Sequence, residues 1–374
     1  MRTAVVILNW NTEGFLKEFL PGLQRSVSKV SGAEVVVADN ASTDGSIEVM
    51  RSMFPDIKTL RFERNLGFTG GYNEAFRILD NTSARPEYFL LINSDIEVTD
   101  GWLQPLVDWM DAHPECGACA PKLHSWQEKE KFEYAGAAGG YIDLFGYPFC
   151  RGRIMKRLET DYGQYDAPAD VFWATGACLM VRSEAYRRMG GLDSRFFAHM
   201  EEIDLCWRMQ LEGWKINVVP SSVVYHVGGG TLPAESPFKL FLNYRNNLLM
   251  LSNNLAKTYA LEGYRKGMEI KKAAGYGERK AARRIFIRKC LDGMSAAVYL
   301  LSLRSDCFMS VFKAHKEYGQ MKRQSSRTEI EEYLRRSGET AGVCGIYRKW
   351  IVLYSMLKGE KVFGSIREKD FYKI

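Results

Sequence analysis

Three short polar segments follow apolar runs in the first hundred residues of this 374-residue chain, and two of them carry carboxylates. They are Asn9 to Asn11 after TAVVIL, Asp39 to Asp44 after EVVVA, and Asn93 to Asp95 after YFLLI. A buried strand ending in a carboxylate is a good place for a divalent ion. Oxygen ligands suit Mg2+ or Mn2+, and such an ion can bridge a diphosphate. Asp95 is that carboxylate, with Asn93 and Ser94 beside it; one carboxylate grips weakly, so a second ligand must come from elsewhere in the chain. Asp39 could accept hydrogen bonds from a nucleobase N–H or ribose hydroxyls. The plainer reading of DNASTDGS is a strand-to-helix turn capped by Ser42 or Asp44.

Further along, RNLGFTGGYNEA brings Gly67, Gly70 and Gly71 to the start of a helix, where glycine permits close backbone approach and the helix end favours anions. It lacks the Gly-Lys-Ser/Thr of a Walker loop and the GxGxxG spacing of a dinucleotide fold. EEIDLCWR places Glu201, Glu202 and Asp204 at a helix start, a favourable place for acidic groups in any case. His226 stands alone in VYHVGGG, and a lone histidine is more often structural than a ligand.

The elements that would position these residues alternate. Buried strands at Thr3–Leu8, Glu34–Ala38 and Tyr88–Ile92, with a short one at Thr59–Phe62, are separated by helical stretches at Gly14–Val30, Ser46–Met53 and Tyr72–Leu79. That rhythm predicts parallel βαβ units in a doubly wound, mostly parallel α/β sheet, whose ligands bind at the carboxyl ends of the strands. All three polar segments sit at such ends. After Phe238, apolar residues recur at helical spacing, as in Phe241, Leu242, Leu248 and Leu249, and again from Ile287 to Leu301.

Composition divides the chain at the same place. Residues 232–374 carry 28 Lys and Arg against 14 Asp and Glu, so residues 1–231 are net −8 within a total of +6. An acidic first part suits divalent cations, and a basic second part suits an anionic surface such as phospholipid head groups. Two units follow: a catalytic domain over 1–231 and a basic, mostly helical region over 232–374. No apolar run reaches the roughly 18 residues needed to span a bilayer. The Met1 start has no secretory pattern, and the eight cysteines are scattered with no zinc spacing beyond the lone Cys116–Cys119 pair, so a reducing cytosol and no disulfide framework are expected. Dense basic residues from Lys271 to Lys289 accompany no nucleic-acid motif, so nucleic acid is not an expected partner.

The ordered series ILNWN, DNASTDGS, NLGFTGG, LINSD, WATGACLMVR, GGLDSRFF, EEIDLCWR and VYHVGGG resembles the motifs of family 2 glycosyltransferases of GT-A fold, nearest to a branch containing bacterial rhamnosyltransferases. The resemblance covers about residues 3 to 255. It implies inverting transfer of a sugar from a nucleotide-diphospho-sugar, a dTDP- or UDP-sugar with rhamnose foremost, to a glycan or lipid-linked glycan at the cytoplasmic membrane face during surface polysaccharide synthesis. It implies further that Asn9, Asn11, Asp39, Arg64, Asn65, Gly67, Gly71, Asn93 and Ser94 line the donor site, with Asp95 and His226 as metal ligands. The chain reads NSD where many relatives read DxD. The EEID segment resembles the region of the general base, with Glu202 at the base position and Asp204 and Glu201 as alternatives. Trp173 could stack on a sugar ring and Gly176 admit it closely, or Trp173 packs in the core; Gly228 to Gly230 read as a loop able to close over the donor.

Two rival classes are weaker. A nucleotidyltransferase would carry a Gly-rich basic segment after its first strand, where this chain has ILNWNTEG. A non-catalytic nucleotide-sugar-binding protein is suggested only by Asn93 and by Glu202, which is one methylene longer than the Asp common at that position.

Overall fold

In the computed structural model, residues 1–82, 85–228, 236–357 and 362–374 are described. β1 (Thr3–Asn9) is almost wholly buried because parallel partners flank it on both sides, β2 (Ala33–Asp39) and β4 (Tyr88–Ile92), with β3 (Lys58–Arg61) beyond β2. Alternate side chains of β1 enter two cores. Ala4 and Val6 join the residues of one face, and Val5 and Ile7 those of the other. The helices α1 (Glu13–Val27), α2 (Ser46–Met53) and α4 (Leu103–Ala112) cover the second face through Leu16, Leu20, Met50 and Leu106, while α3 (Gly67–Asp80) covers the first through Tyr72, Phe76 and Leu79.

The expected strands and helices of this half are present with small shifts at their ends. α3 begins five residues before the expected Tyr72, so its glycines form the first turns of the helix itself. A Cβ on Gly71 would come within 2.5 Å of Leu8, so glycine here lets α3 lie directly on β1.

The remaining strands complete a nine-stranded mixed sheet in the order β11-β13-β6-β12-β4-β1-β2-β3, with β5 (Ile96–Val98) paired to β13. β6 (Cys116–Ser125) and β13 (Lys215–His226) are parallel, while β12 (Cys178–Arg182) runs antiparallel between β6 and β4; β11 (Ala169–Asp170) is an edge. The helices α5 (Ser183–Arg188) and α6 (Glu201–Leu211) lie between β12 and β13 in the chain.

Residues 128–165, which carry no periodic signal, hold β7 (Gly140–Asp143), β8 (Pro148–Cys150), β9 (Arg153–Ile154) and β10 (Arg157–Leu158) of a second sheet. The tail completes that sheet with β14 (Cys344–Tyr347), parallel to β7, and β15 (Phe371–Lys373). The rest of the tail is helical as expected: α7 (Pro237–Arg265), α8 (Ile270–Leu301), α9 (Ser305–Met321), α10 (Arg327–Ser337) and α11 (Ile351–Met356). The expected boundary at residue 231 lies outside the described residues. Among the described residues no helix is long and apolar enough to cross a membrane.

Candidate active site

The site forms at the carboxyl ends of β2, β1 and β4, where strand register sets neighbours before any side chain is considered. Asn9 is opposite Asp39, and Ile7 is opposite Ile92, so Asn93 follows one strand over. β12 brings a fourth segment to the same edge, since Cys178 pairs with Ile92 and the Asn93 N–H donates to Ala177 O at 2.9 Å.

One corner gathers Asp95, Asn93 and His226. β5 pairs antiparallel with the end of β13, placing His226 opposite Ile96, and the Val227 N–H donates to Asp95 O at 3.1 Å. The side chains then meet: Asp95 Oδ1 is 3.2 Å from His226 Nε2, and the Asn93 amide is 3.5 Å from the same nitrogen. On the far side of the ring, Glu133 Oε1 lies 3.3 Å from Nδ1. All three charged groups are buried. Burial pulls the imidazole down, but the two carboxylates outweigh it and raise it to about 10, so this spot already selects positive charge. The carboxylate oxygen suits Mg2+ or Mn2+, and an imidazole nitrogen beside it, once its proton is displaced, favours Mn2+ of the two. Among the described residues no cluster of three or more His, Cys, Asp or Glu forms a metal cage.

A second corner is built from amides and one buried carboxylate. Asp39 accepts from Asn9 Nδ2 at 2.9 Å and from the Ser42 N–H at 3.0 Å. Ser42 is drawn into this lattice, its hydroxyl accepting from Asn9 Nδ2 and the Asn11 N–H, while Asp44 accepts from the Ser46 N–H at the start of α2. Asn11 Oδ1 accepts from the Thr43 N–H at 2.7 Å. Arg64 and Asn65 are exposed alongside; Asn65 Oδ1 accepts from Asn40 Nδ2 and the Gly67 N–H. Gly67 has φ +71°, and a Cβ there would strike the Phe197 ring. Ser94 and Asn93 line a narrow crevice against Phe15 and Phe19 of α1.

The third corner is the start of α6. Phe197, His199 and Met200 all have positive φ, a costly conformation for residues with side chains. The surroundings impose it. Asn246 of α7 donates to the carbonyls of Phe196, Ala198 and His199 at 2.7 to 2.9 Å, and the Phe68 N–H donates to Phe197 O at 2.8 Å. The segment delivers Glu201 and Glu202 with Oε2 of each buried and unpartnered among the described residues. Burial raises the Glu202 carboxyl to about 7 against backbone N–H groups that lower it; burial and then Glu202 itself push Glu201 well up. Gly176 faces this group, its Cβ position 3.3 Å from Phe68 and 3.6 Å from Glu202.

Three sequence expectations meet a different placement. Asp204 is fully buried and accepts from Arg208, Asn253 and Asn254 at 2.7 to 2.9 Å, so its carboxylate ties α6 to α7 and has no free edge for an acceptor hydroxyl. Trp173 is 3% exposed, its indole N–H donating to Tyr141 O and its ring covering Gly140, so the face expected to stack on a sugar is in the core. Gly71 lies under Leu8 instead of lining the cleft. Gly229 and Gly230 fall outside the described residues; Gly228 sits 3.3 Å, from its Cβ position, to Glu133.

Sequence reasoning missed Glu133, Asn246 and the strained segment before α6. No local pattern marks Glu133, and Asn246 does not stand out in sequence, since Asn243, Arg245, Asn247, Asn253 and Asn254 share its helix.

Comparison with known proteins follows the same lines. The profile described as "Glycosyl transferase family 2" matches residues 4–190. The chain is 25% identical over 267 residues to the N-acetylglucosaminyl-diphospho-decaprenol L-rhamnosyltransferase of Mycobacterium tuberculosis, covering 67% of this chain and 83% of that protein. It is 36% identical over 143 residues to the rhamnosyltransferase WbbL of Escherichia coli K12, covering 38% of this chain and 53% of that one. A structure of GalNAc-T7 with UDP, GalNAc and Mn2+ is similar in fold, with a TM-score of 0.52 at 17% identity over 75% of this chain and 54% of that chain.

Proposed function

The chain belongs to glycosyl transferase family 2, and from that premise we propose that it moves a sugar, rhamnose foremost, from a dTDP- or UDP-diphospho-sugar to a hydroxyl of a glycan or lipid-linked glycan, with inversion at the anomeric carbon. It is a glycosyltransferase of GT-A fold. The observation that carries the finer reading is the meeting of Asp95 and His226 beside the Asn9–Asp39 corner, at the strand-end edge that Glu202 also approaches through Gly176. The name of the mycobacterial relative, which joins a rhamnosyl activity to a diphospho-decaprenol acceptor, supports both the sugar and the lipid-linked acceptor.

The chain's own residues divide the work. Asn9, Asn11, Asp39 and Asn65 hold the nucleoside through amide and carboxylate groups already set in place, and the exposed Arg64 guanidinium adds to them. Glu202 accepts the proton of the acceptor hydroxyl as that oxygen bonds to the anomeric carbon and the bond from carbon to diphosphate breaks. A carboxyl near 7 suits a base at neutral pH, since about half of it is ionised and it is basic enough to pull. Burial and the neighbouring Glu202 favour the protonated form of Glu201, which eases the crowding of negative charge in the site. Glu133 holds the His226 ring from behind, aiming Nε2 at Asp95. A divalent cation held by Asp95 and His226 would supply positive charge for the leaving diphosphate. The Mn2+ in the GalNAc-T7 structure supports such an ion.

The test is a thermal-stability screen of nucleotide sugars with and without Mn2+, followed by assay of nucleoside diphosphate release. A dTDP- or UDP-sugar that raises Tm only with the cation, and is turned over with an acceptor, is expected. Indifference to every such donor contradicts the reading.

A further inference from the structure

α8 and α9 fold back on one another through residues 302–304 and run antiparallel, for Asp292 meets His315 at 3.1 Å and Lys289 stands over the Tyr318 ring. Asp292 and His315 tie the two helices to each other, and the inner side of α8 is held to the rest of the chain. Arg288 is buried between Asp292 and the Phe145 carbonyl. The outward side is different. Phe286, Cys290, Met294, Ala297 and Leu301 recur every three to four residues along α8, and all are exposed. At the turn Leu301 is 84% and Leu303 93% exposed, and Met309 and Phe312 continue the surface onto α9. Of the 17 exposed large hydrophobics among the described residues, eight lie between 286 and 312, so this is a strip and not the scatter usual on a soluble surface.

The charge beside the strip is mainly positive, with Asp306 the one exposed acid at the turn. Residues 283–323 hold nine Lys and Arg against three Asp and Glu. Two of those acids are engaged, Asp292 by Arg288 and Glu317 by Arg245. Lys313 and Lys316 are exposed roughly three to four turns back from Leu303 along α9, and Lys322 and Arg323 are exposed just past its end. A two-fold contact between copies of the chain would set this basic rim against itself. A bilayer with anionic head groups offers acyl chains to the tip and negative charge to the rim.

We propose that the α8–α9 hairpin docks the protein on an anionic phospholipid bilayer, with Leu301, Leu303 and Phe312 entering the acyl boundary and Lys313 and Lys316 meeting the head groups. The base of the hairpin abuts the strained segment before Glu201. Ala198 packs on Phe241, Leu242 and Ala314, and Arg195 Nη1 donates to the carbonyl of Met321, where α9 ends. Docking therefore holds the start of α6 near the membrane surface, where a lipid-linked hydroxyl would be presented. That consequence rests on the proposed glycosyl transfer to a lipid-linked acceptor; the docking itself stands on the hairpin alone.

The experiment is sedimentation of the full chain with vesicles of phosphatidylcholine, or of phosphatidylcholine and phosphatidylglycerol in equal parts, at about 0.1 M and about 0.5 M salt. Two variants are compared, Leu301→Glu/Leu303→Glu/Phe312→Glu and Lys313→Gln/Lys316→Gln. All five side chains are exposed, so both variants should melt with the wild type. The wild type is expected to bind the anionic vesicles only, less at high salt. The triple variant should lose roughly tenfold or more in partition, and the lysine variant should lose the salt-sensitive share. Transfer to a short soluble acceptor should be unchanged in both. A triple variant that sediments like the wild type overturns the proposal, as does a wild-type dimer, without vesicles, that the triple variant turns into monomer. Vesicle binding of the expected pattern without any transfer would leave the docking standing and remove the catalytic reading; transfer without vesicle binding would do the reverse.

Discussion

Asp95 Oδ1 lies 3.2 Å from His226 Nε2 because β5, the three-residue strand that follows Asp95, pairs antiparallel with the last residues of β13. The pairing turns two residues far apart in the chain into one site. Glu133, from a segment with no helical or strand periodicity, completes it from behind. The chemistry of the site follows from this arrangement and from the acidic start of α6.

With Glu202 as the proposed base, its carboxyl should set the pH dependence of transfer. Its carboxyl, raised by burial to about 7, works as a base only when ionised, so kcat should rise with pH through about 7 and level above it. Glu202→Gln should lower kcat by roughly 10²- to 10⁴-fold, while Glu202→Asp should keep a measurable fraction with a similar rising limb. The kcat–pH profile checks this, and a flat wild-type profile would exclude Glu202 as the base.

Glu201 should show itself in stability instead. Burial, and then Glu202, hold its carboxyl well above the ordinary 4.5, so the folded state prefers it protonated. Its contribution is complete below about 4.5 and is lost as pH rises towards the folded-state value. Glu201→Gln keeps the neutral shape at every pH. The Tm of this variant should therefore gain on the wild type between pH 5 and pH 8 in a thermal-unfolding series, with transfer retained.

Asp204 is a tie in the fold. Removing its carboxylate leaves Arg208 and the amides of Asn253 and Asn254 without their acceptor. Asp204→Ala should cost about 3 kcal/mol in chemical denaturation. An unchanged midpoint would contradict the placement.

Asn246 bears on the geometry of catalysis from outside the cleft. Asn246→Ala frees three carbonyls of the strained segment, with a stability loss of about 1–3 kcal/mol. Because that segment aims Glu202 and touches no nucleoside-corner residue except through Gly67, kcat should fall while KM for the donor stays nearly constant. Steady-state kinetics at saturating acceptor separate the two.

How much of this could be read from sequence depended on range. The parallel strands, the α2 helix and the polar strand ends were legible, because each is written in a local run such as YFLLI followed by NSD. Motif order marked Asp95 and His226 as partners, but not Glu133. The placements of Asp204 and Trp173 depend on partners on other elements, Asn253 and Asn254 on α7 and Tyr141 and Gly140 on β7, which no local spacing announces. The second sheet was invisible for the same reason. Its strands are two to four residues long, and two of the five strand pairings that fix them need residues 344–373.

The most direct test is Mn2+-dependent affinity for the donor nucleotide sugar, measured by calorimetry in the wild type, Asp95→Ala, His226→Ala and the double variant. If both side chains hold one cation, each single variant should lose roughly tenfold or more in the cation-dependent affinity, and the double variant should be little worse than either, since the first loss already empties the site. Full Mn2+-dependent binding in either single variant, or losses that simply add in the double, would contradict a shared ion at this corner.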